Sequence, residues 1–137
     1  MSTNRTINHV YAPSHTWTCI GRPDDPHKTL VNEQGTLLYD FLNWVSGTDN
    51  YYFRRTIGFG LQTAHNPIKV TQSTESGQCP FVKTVIEYPH ATLELTAFSH
   101  VHEIHRSDIV LWSIYAEQPV DTTLWVDGQS LAEVFIL

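Results

Sequence analysis

Alternation is the clearest pattern along the chain. Within Thr92–Phe98, Leu93, Leu95 and Ala97 interleave with Thr92, Glu94 and Thr96, so a strand there buries one face and wets the other. Val82–Tyr88 precedes it as a second strand, and Pro89-His90-Ala91 between them is a connection of hairpin length. Tyr51–Leu61 carries Phe53, Arg55, Ile57 and Phe59 at period two. Arg55 is the polar member of that face, which predicts a bulge or a partnered charge. Ile109–Tyr115 is nearly continuous apolar sequence and reads as a strand covered on both faces, with Trp112 in the core. Shorter strands are expected at Trp17–Ile20, Thr36–Phe41, Ile68–Ser73, Thr122–Val126 and Ala132–Leu137, with Asp127-Gly128 as a turn between the last two.

No stretch repeats apolar residues at i, i+3, i+4 and i+7, so helix is not expected. The pattern predicts an all-β chain: an antiparallel β-sandwich, jelly-roll or super-sandwich-like, with seven to nine short strands. Residues 1–137 read as a single domain, in which 1–35 is largely ordered loop leading into the sandwich. Val134-Phe135-Ile136-Leu137 closes the last strand without a polar residue or breaker. Apolar sheet edges are normally blunted, so this strand is expected to pair with a second copy or to continue into a longer parent chain.

Composition narrows the partners. The hydrophobic fraction of 41% supplies a core, and the charged fraction of 16% argues against disorder and against a coiled coil. Eight bases against 14 acids give a net charge of −6, with Arg54-Arg55 as the only basic pair, so nucleic-acid binding is not expected. No run approaches the roughly 18 apolar residues of a membrane span, and Met1-Ser2-Thr3-Asn4-Arg5-Thr6 opens no apolar leader. The expectation is a soluble, cytoplasmic chain without a membrane partner. Cys19 and Cys79 stand far apart without zinc-type spacing and read as buried or idle thiols, with a structural disulfide between them the lesser alternative.

Three groups of residues have chemical potential. The segment His100-Val101-His102-Glu103-Ile104-His105 is the one local cluster with ligand character among eight histidines. On a strand His100 and His102 share a face and can hold a divalent cation, closed by His105 or a remote carboxylate. The spacing is that of the His-x-His start of a cupin metal site, except that Arg106 and Ser107 stand where a Glu would follow. Solvated histidines at a strand end, before a turn at Arg106-Ser107-Asp108, are the plainer alternative. Asp24 and Asp25 can form an acid/base pair or a calcium site, or can simply make a turn. No nucleophile elbow, phosphate-binding loop or dinucleotide fingerprint is present. The aromatic excess suggests a platform for sugar rings: Trp44, Tyr51 and Tyr52 flank a loop whose Asp49 and Asn50 can hydrogen-bond hydroxyls. The alternative is that these rings pack beneath the loop.

The segment Ile20-Gly21-Arg22-Pro23-Asp24-Asp25-Pro26-His27-Lys28-Thr29-Leu30-Val31-Asn32-Glu33-Gln34-Gly35-Thr36-Leu37-Leu38-Tyr39-Asp40-Phe41 resembles the opening of the N-terminal β-sandwich of bacterial six-hairpin glycosidase-like proteins. Pro67–Thr71, Leu95–Phe98 and Ser107–Trp112 are similar to later pieces of that sandwich in order and spacing, so the resemblance spans about residues 17 to 126. Arg22 departs from it, standing where an aliphatic residue is expected. In that family an (α/α) barrel carries the catalytic carboxylates, and 137 residues hold no counterpart, so the resemblance transfers no catalytic residue. It implies a non-catalytic module associated with carbohydrate-active proteins, binding sugar or serving as a scaffold; no cofactor is expected other than a divalent metal at the histidine cluster. A cupin-like metal-dependent enzyme using His100 and His102, and an assembly protein pairing through its C-terminal strand, are the competing expectations.

Overall fold

The computed structural model describes residues 2–7, 17–21, 29–43, 51–75 and 80–130. Ten strands run through the described residues: β1 (Ser2–Ile7), β2 (Trp17–Ile20), β3 (Thr29–Asn32), β4 (Leu37–Asn43), β5 (Tyr51–Gln62), β6 (Lys69–Glu75), β7 (Phe81–Glu87), β8 (Thr92–His102), β9 (His105–Tyr115) and β10 (Thr123–Ser130). They form two five-stranded sheets, ordered β1-β6-β7-β8-β9 and β10-β5-β4-β3-β2. Every pairing in them is antiparallel. No described residue is helical, so among the described residues no helix is long and apolar enough to cross a membrane. The all-β antiparallel sandwich that the alternation predicts is the architecture observed.

Local differences have identifiable causes. Strands β1 and β3 occupy part of the segment read as loop. The polar sequence of β1 offers no alternation, and its place is set by backbone pairing with β6. In β3 the inward positions are Thr29 and Val31, and a threonine facing inward hides the period. Asp127-Gly128 is not a turn: it lies inside β10 opposite Gly58 and Ile57, where the ladder with β5 overrides the dipeptide's preference. Arg106-Ser107-Asp108 is likewise strand, and the chain reverses at Glu103–Ile104 instead. The β4–β5 register is the same on both sides of Arg55, which is exposed, so no bulge forms there.

The largest departure from expectation is at Ile109–Tyr115. This segment lies in β9, the outer strand of its sheet, and Leu111, Trp112 and Tyr115 are 58%, 54% and 55% exposed. Trp112 pairs with buried Leu95 and shares its face, yet remains half in solvent. An apolar run states hydrophobicity, not whether a neighbouring strand lies beyond it. The expected strand at Ala132–Leu137 lies outside the described residues.

The core fills the space between the sheets in two clusters. One centres on Leu61, Val70, Ile86, Leu93 and Leu95, the other on Ile20, Val31, Leu37, Val82 and Ala97. Phe59 of β5 and Val110 of β9 pack against both and join them. Leu93 is wholly buried, a burial worth about 1.5–3 kcal/mol for a side chain of this size.

Buried polar groups then fix how the sheets sit on each other. Strand β4 begins opposite Ile57, so β5 residues beyond it lack a ladder partner on that side. The amide of Leu61 donates to the buried Tyr88 hydroxyl at 3.0 Å. At the β3–β4 turn, Asn32 Oδ1 accepts from the amides of Gln34 and Thr36 at 2.9 and 3.0 Å, an Asx-type turn. Gln72 Nε2 of the opposite sheet donates to the Asn32 carbonyl at 2.8 Å. Gly35 in this turn has φ +80, and a Cβ there would lie 3.1 Å from Leu95 Cδ1 and from Thr84 Oγ1. The turn thus needs glycine both for its backbone and for its close approach to the other sheet.

Candidate functional site

The most elaborate polar cluster centres on Asp108, an inward-facing residue of β9. Its Oδ2 accepts from the Thr29 hydroxyl and the Tyr39 hydroxyl, both at 2.7 Å. Its Oδ1 accepts from the Ser99 hydroxyl at 2.5 Å and pairs with Arg106 Nη2 at 3.2 Å. The same Arg106 nitrogen donates to Thr29 Oγ1 at 3.0 Å and to Ser99 Oγ at 3.1 Å. Thr29 and Tyr39 come from one sheet and Ser99, Arg106 and Asp108 from the other, so the cluster ties the two together.

Burial alone would push the Asp108 carboxyl up. The hydrogen bonds from Ser99, Thr29 and Tyr39 and the Arg106 charge outweigh it and hold the carboxyl below the usual carboxylate range. Burial, then the bond to Asp108 and its negative charge, push the Tyr39 phenol well above its ordinary value. A carboxylate whose two oxygens receive three hydroxyls and a guanidinium is committed to structure. It stays charged at neutral pH and is poorly suited to trade protons with a substrate.

A different arrangement lies on the outer face of the other sheet. Ile57, Phe59 and Leu61 of β5 face the core, which turns Gly58 and Gly60 outward. Trp125 of β10 pairs with Gly60 and shares this outward face. Its ring spans both glycines: a Cβ at Gly60 would fall 2.5 Å from Cε2 and 2.7 Å from Nε1, and one at Gly58 would fall 3.5 Å from Cζ3. Two glycines at period two thus leave a flat bed for the indole, and Trp125 remains 40% exposed. Thr123 and Asp127, two residues to either side along β10, and Gln62, two beyond Gly60 on β5, share this face. The chemistry offered is an aromatic plane set on a rigid sheet with hydroxyl, carboxylate and amide groups around it.

Two further features lie on the sheet that carries β8 and β9. An open cleft of about 890 Å³ lies between the Tyr88–Thr92 connection and Ile114–Val120, with Tyr115, His90 and Glu117 among its lining. At the tip of the β8–β9 hairpin, His102 and His105 pair directly across the Glu103–Ile104 turn, and His100 pairs with Ser107. His100, His102 and His105 are all exposed and lie on the face opposite buried Leu93, Leu95, Ala97 and Ser99. These histidines therefore stand on the outer face of the sheet and not among its core residues. No group of three or more His, Cys, Asp or Glu side chains is gathered around a metal position among the described residues.

Of the expected sugar-binding residues, Trp44, Asp49 and Asn50 lie outside the described residues, as do Asp24, Asp25 and Cys79. Tyr51 and Tyr52 open β5 opposite Asn43 and Leu42. Eight residues of strand separate Tyr52 from Gly60, roughly 27 Å at 3.3–3.4 Å per residue, so these tyrosines and Trp125 cannot share one sugar ring. Cys19 is an exposed free thiol. The Trp125 bed is readable in principle from Gly58 and Gly60 alternating with apolar residues, a gap that a cross-strand aromatic fills. Comparison with known proteins gives no match: no family model, no curated protein and no solved structure is significantly similar to the chain.

Proposed function

We propose that the chain is a non-catalytic carbohydrate-binding β-sandwich module, of the kind that accompanies glycosidase domains, with Trp125 as its stacking platform. One observation carries this reading: an indole laid across Gly58 and Gly60 with 40% of the residue still open to solvent. The apolar face of a pyranose, lined by axial C–H bonds, matches such a plane, and Thr123, Asp127 and Gln62 share the face to meet equatorial hydroxyls. Placement on paired strands keeps the plane rigid, so little ordering entropy is lost on binding.

The resemblance to glycosidase-associated sandwiches supports the same reading in a specific way. Thr29, Asn32, Gly35 and Tyr39 of its opening segment, and Asp108 of its later piece, are among the residues that join the sheets. A motif of this kind marks a fold, and the site on it is a separate matter. Isothermal calorimetry of the chain against a panel of oligosaccharides tests the proposal. Binding to at least one pyranose oligomer, weakened at least tenfold by Trp125→Ala, is expected; silence across the panel, or full affinity in the variant, rejects it.

A further inference from the structure

We propose that the tip of the β8–β9 hairpin is a chelating site for a divalent transition metal of the zinc class, with the opposed pair His102 and His105 as its two protein ligands. The inference is independent of the sugar-binding reading and rests on the strand register. His102 and His105 are directly opposed, which puts their Cβ atoms about 4.5–5.5 Å apart on one face. His100 pairs with Ser107 two residues further along the ladder and does not complete a three-residue ligand group. Imidazole nitrogens bind zinc at about 2.0–2.1 Å, so an opposed pair can close on one ion when the exposed rings turn toward each other. Side-chain rotation alone is required, because the backbone already sets the spacing.

The turn supplies a second pointer. Glu103 has φ 55, a left-handed conformation that glycine ordinarily takes in a two-residue hairpin, and Ile104 beside it is 90% exposed. Such strain in a non-glycine residue persists where the surroundings hold it and concentrates at functional sites. Here it keeps the reversal to two residues, and a longer loop would part His102 from His105. Imidazole donors select Zn²⁺, Cu²⁺ or Ni²⁺ over hard cations such as Mg²⁺, which prefer oxygen. Two imidazoles also leave coordination positions for water.

The test is calorimetric titration of the full chain, without an added histidine tag, with Zn²⁺ and in parallel with Mg²⁺. One Zn²⁺ per chain and no Mg²⁺ is expected, with at least tenfold weaker binding in His102→Gln and in His105→Gln. The rival imidazole pair, His65 and His90 with ring centroids 6.3 Å apart, provides the control, and His65→Gln is expected to leave the affinity unchanged. Substoichiometric Zn²⁺ binding, or unaltered affinity in both hairpin variants, overturns the proposal. Line broadening of imidazole proton signals by traces of Cu²⁺ in the unmutated chain tests the same ligands without a variant: His102 and His105 broaden first if they hold the metal, and broadening first at His65 and His90 contradicts the assignment.

Discussion

Trp125 occupies the space that a side chain at Gly60 would need, since a Cβ there would lie 2.5 Å from the indole's Cε2 and 2.7 Å from its Nε1. Gly60→Ala is therefore expected to lift the ring off the sheet while leaving every other contact of β5 in place. The stability cost is small for an overpacking change, about 1 kcal/mol, because the displaced group is a surface ring that can move outward. Sugar affinity is expected to fall about as far as in Trp125→Ala. A Gly60→Ala chain that binds as tightly as the unmutated one would show that the bed does not position the platform.

The Asp108 cluster makes stability depend on pH at both ends. Asp108 titrates below its unfolded value, so its contribution is present above about pH 4 and is lost as pH falls through the folded value. Tyr39 titrates above its unfolded value, so its contribution is complete below about pH 10 and is lost as pH rises through the folded value. Asp108→Asn is expected to cost about 2–4 kcal/mol at neutral pH, by removing the negative charge beside Arg106 and turning an amide toward hydroxyl donors. Urea midpoints between pH 3 and 7 check this: the acid slope should flatten in the variant, and an unchanged slope would place the pH dependence elsewhere.

Gly35 combines a positive φ with a tight approach to Thr84 and Leu95. Gly35→Ala is expected to cost about 1–3 kcal/mol, from backbone strain and from pressing on the opposite sheet. Thermal or chemical unfolding measures it, and a neutral result would mean that the β3–β4 turn does not seat against the other sheet.

Two large apolar residues directly opposite each other in the β8–β9 ladder should behave differently. Leu95 is 2% exposed and Trp112 is 54% exposed. Leu95→Ala is expected to cost about 2–5 kcal/mol, and Trp112→Ala less than half as much despite the larger truncation. Equal losses would return Trp112 to the core and contradict the edge position of β9.

Alternation makes most of the fold legible in advance. Leu93, Leu95 and Ala97 announce β8 and the face it buries, and the β7–β8 connection at Pro89-His90-Ala91 follows from its length. What stays hidden is anything that depends on a neighbour in space. Trp112 looks like core because sequence records the apolar run but not the place of β9 at the end of its sheet among the described strands. Asp127-Gly128 looks like a turn because the ladder with β5 is remote in the chain. The Asp108 cluster unites residues up to 79 positions apart, and only the packing of one sheet on the other brings Thr29 and Asp108 together. The platform expected at Trp44 lies outside the described residues, and the ring that fills the glycine bed stays hidden because the β5–β10 register that lays the Trp125 indole over Gly60 joins residues remote in the chain.

Stacking of Trp125 against a sugar ring is the interaction on which the proposed function turns. A chain in which Trp17, Trp44 and Trp112 are replaced by Phe carries Trp125 as its sole indole, and iodide quenching of its fluorescence reads the accessibility of that ring. With a saturating oligosaccharide from the bound set, quenching should fall at least twofold, because the sugar covers the face of the indole that solvent now reaches. Quenching unchanged while calorimetry still records binding would place the sugar elsewhere and contradict the assignment of Trp125 as the platform.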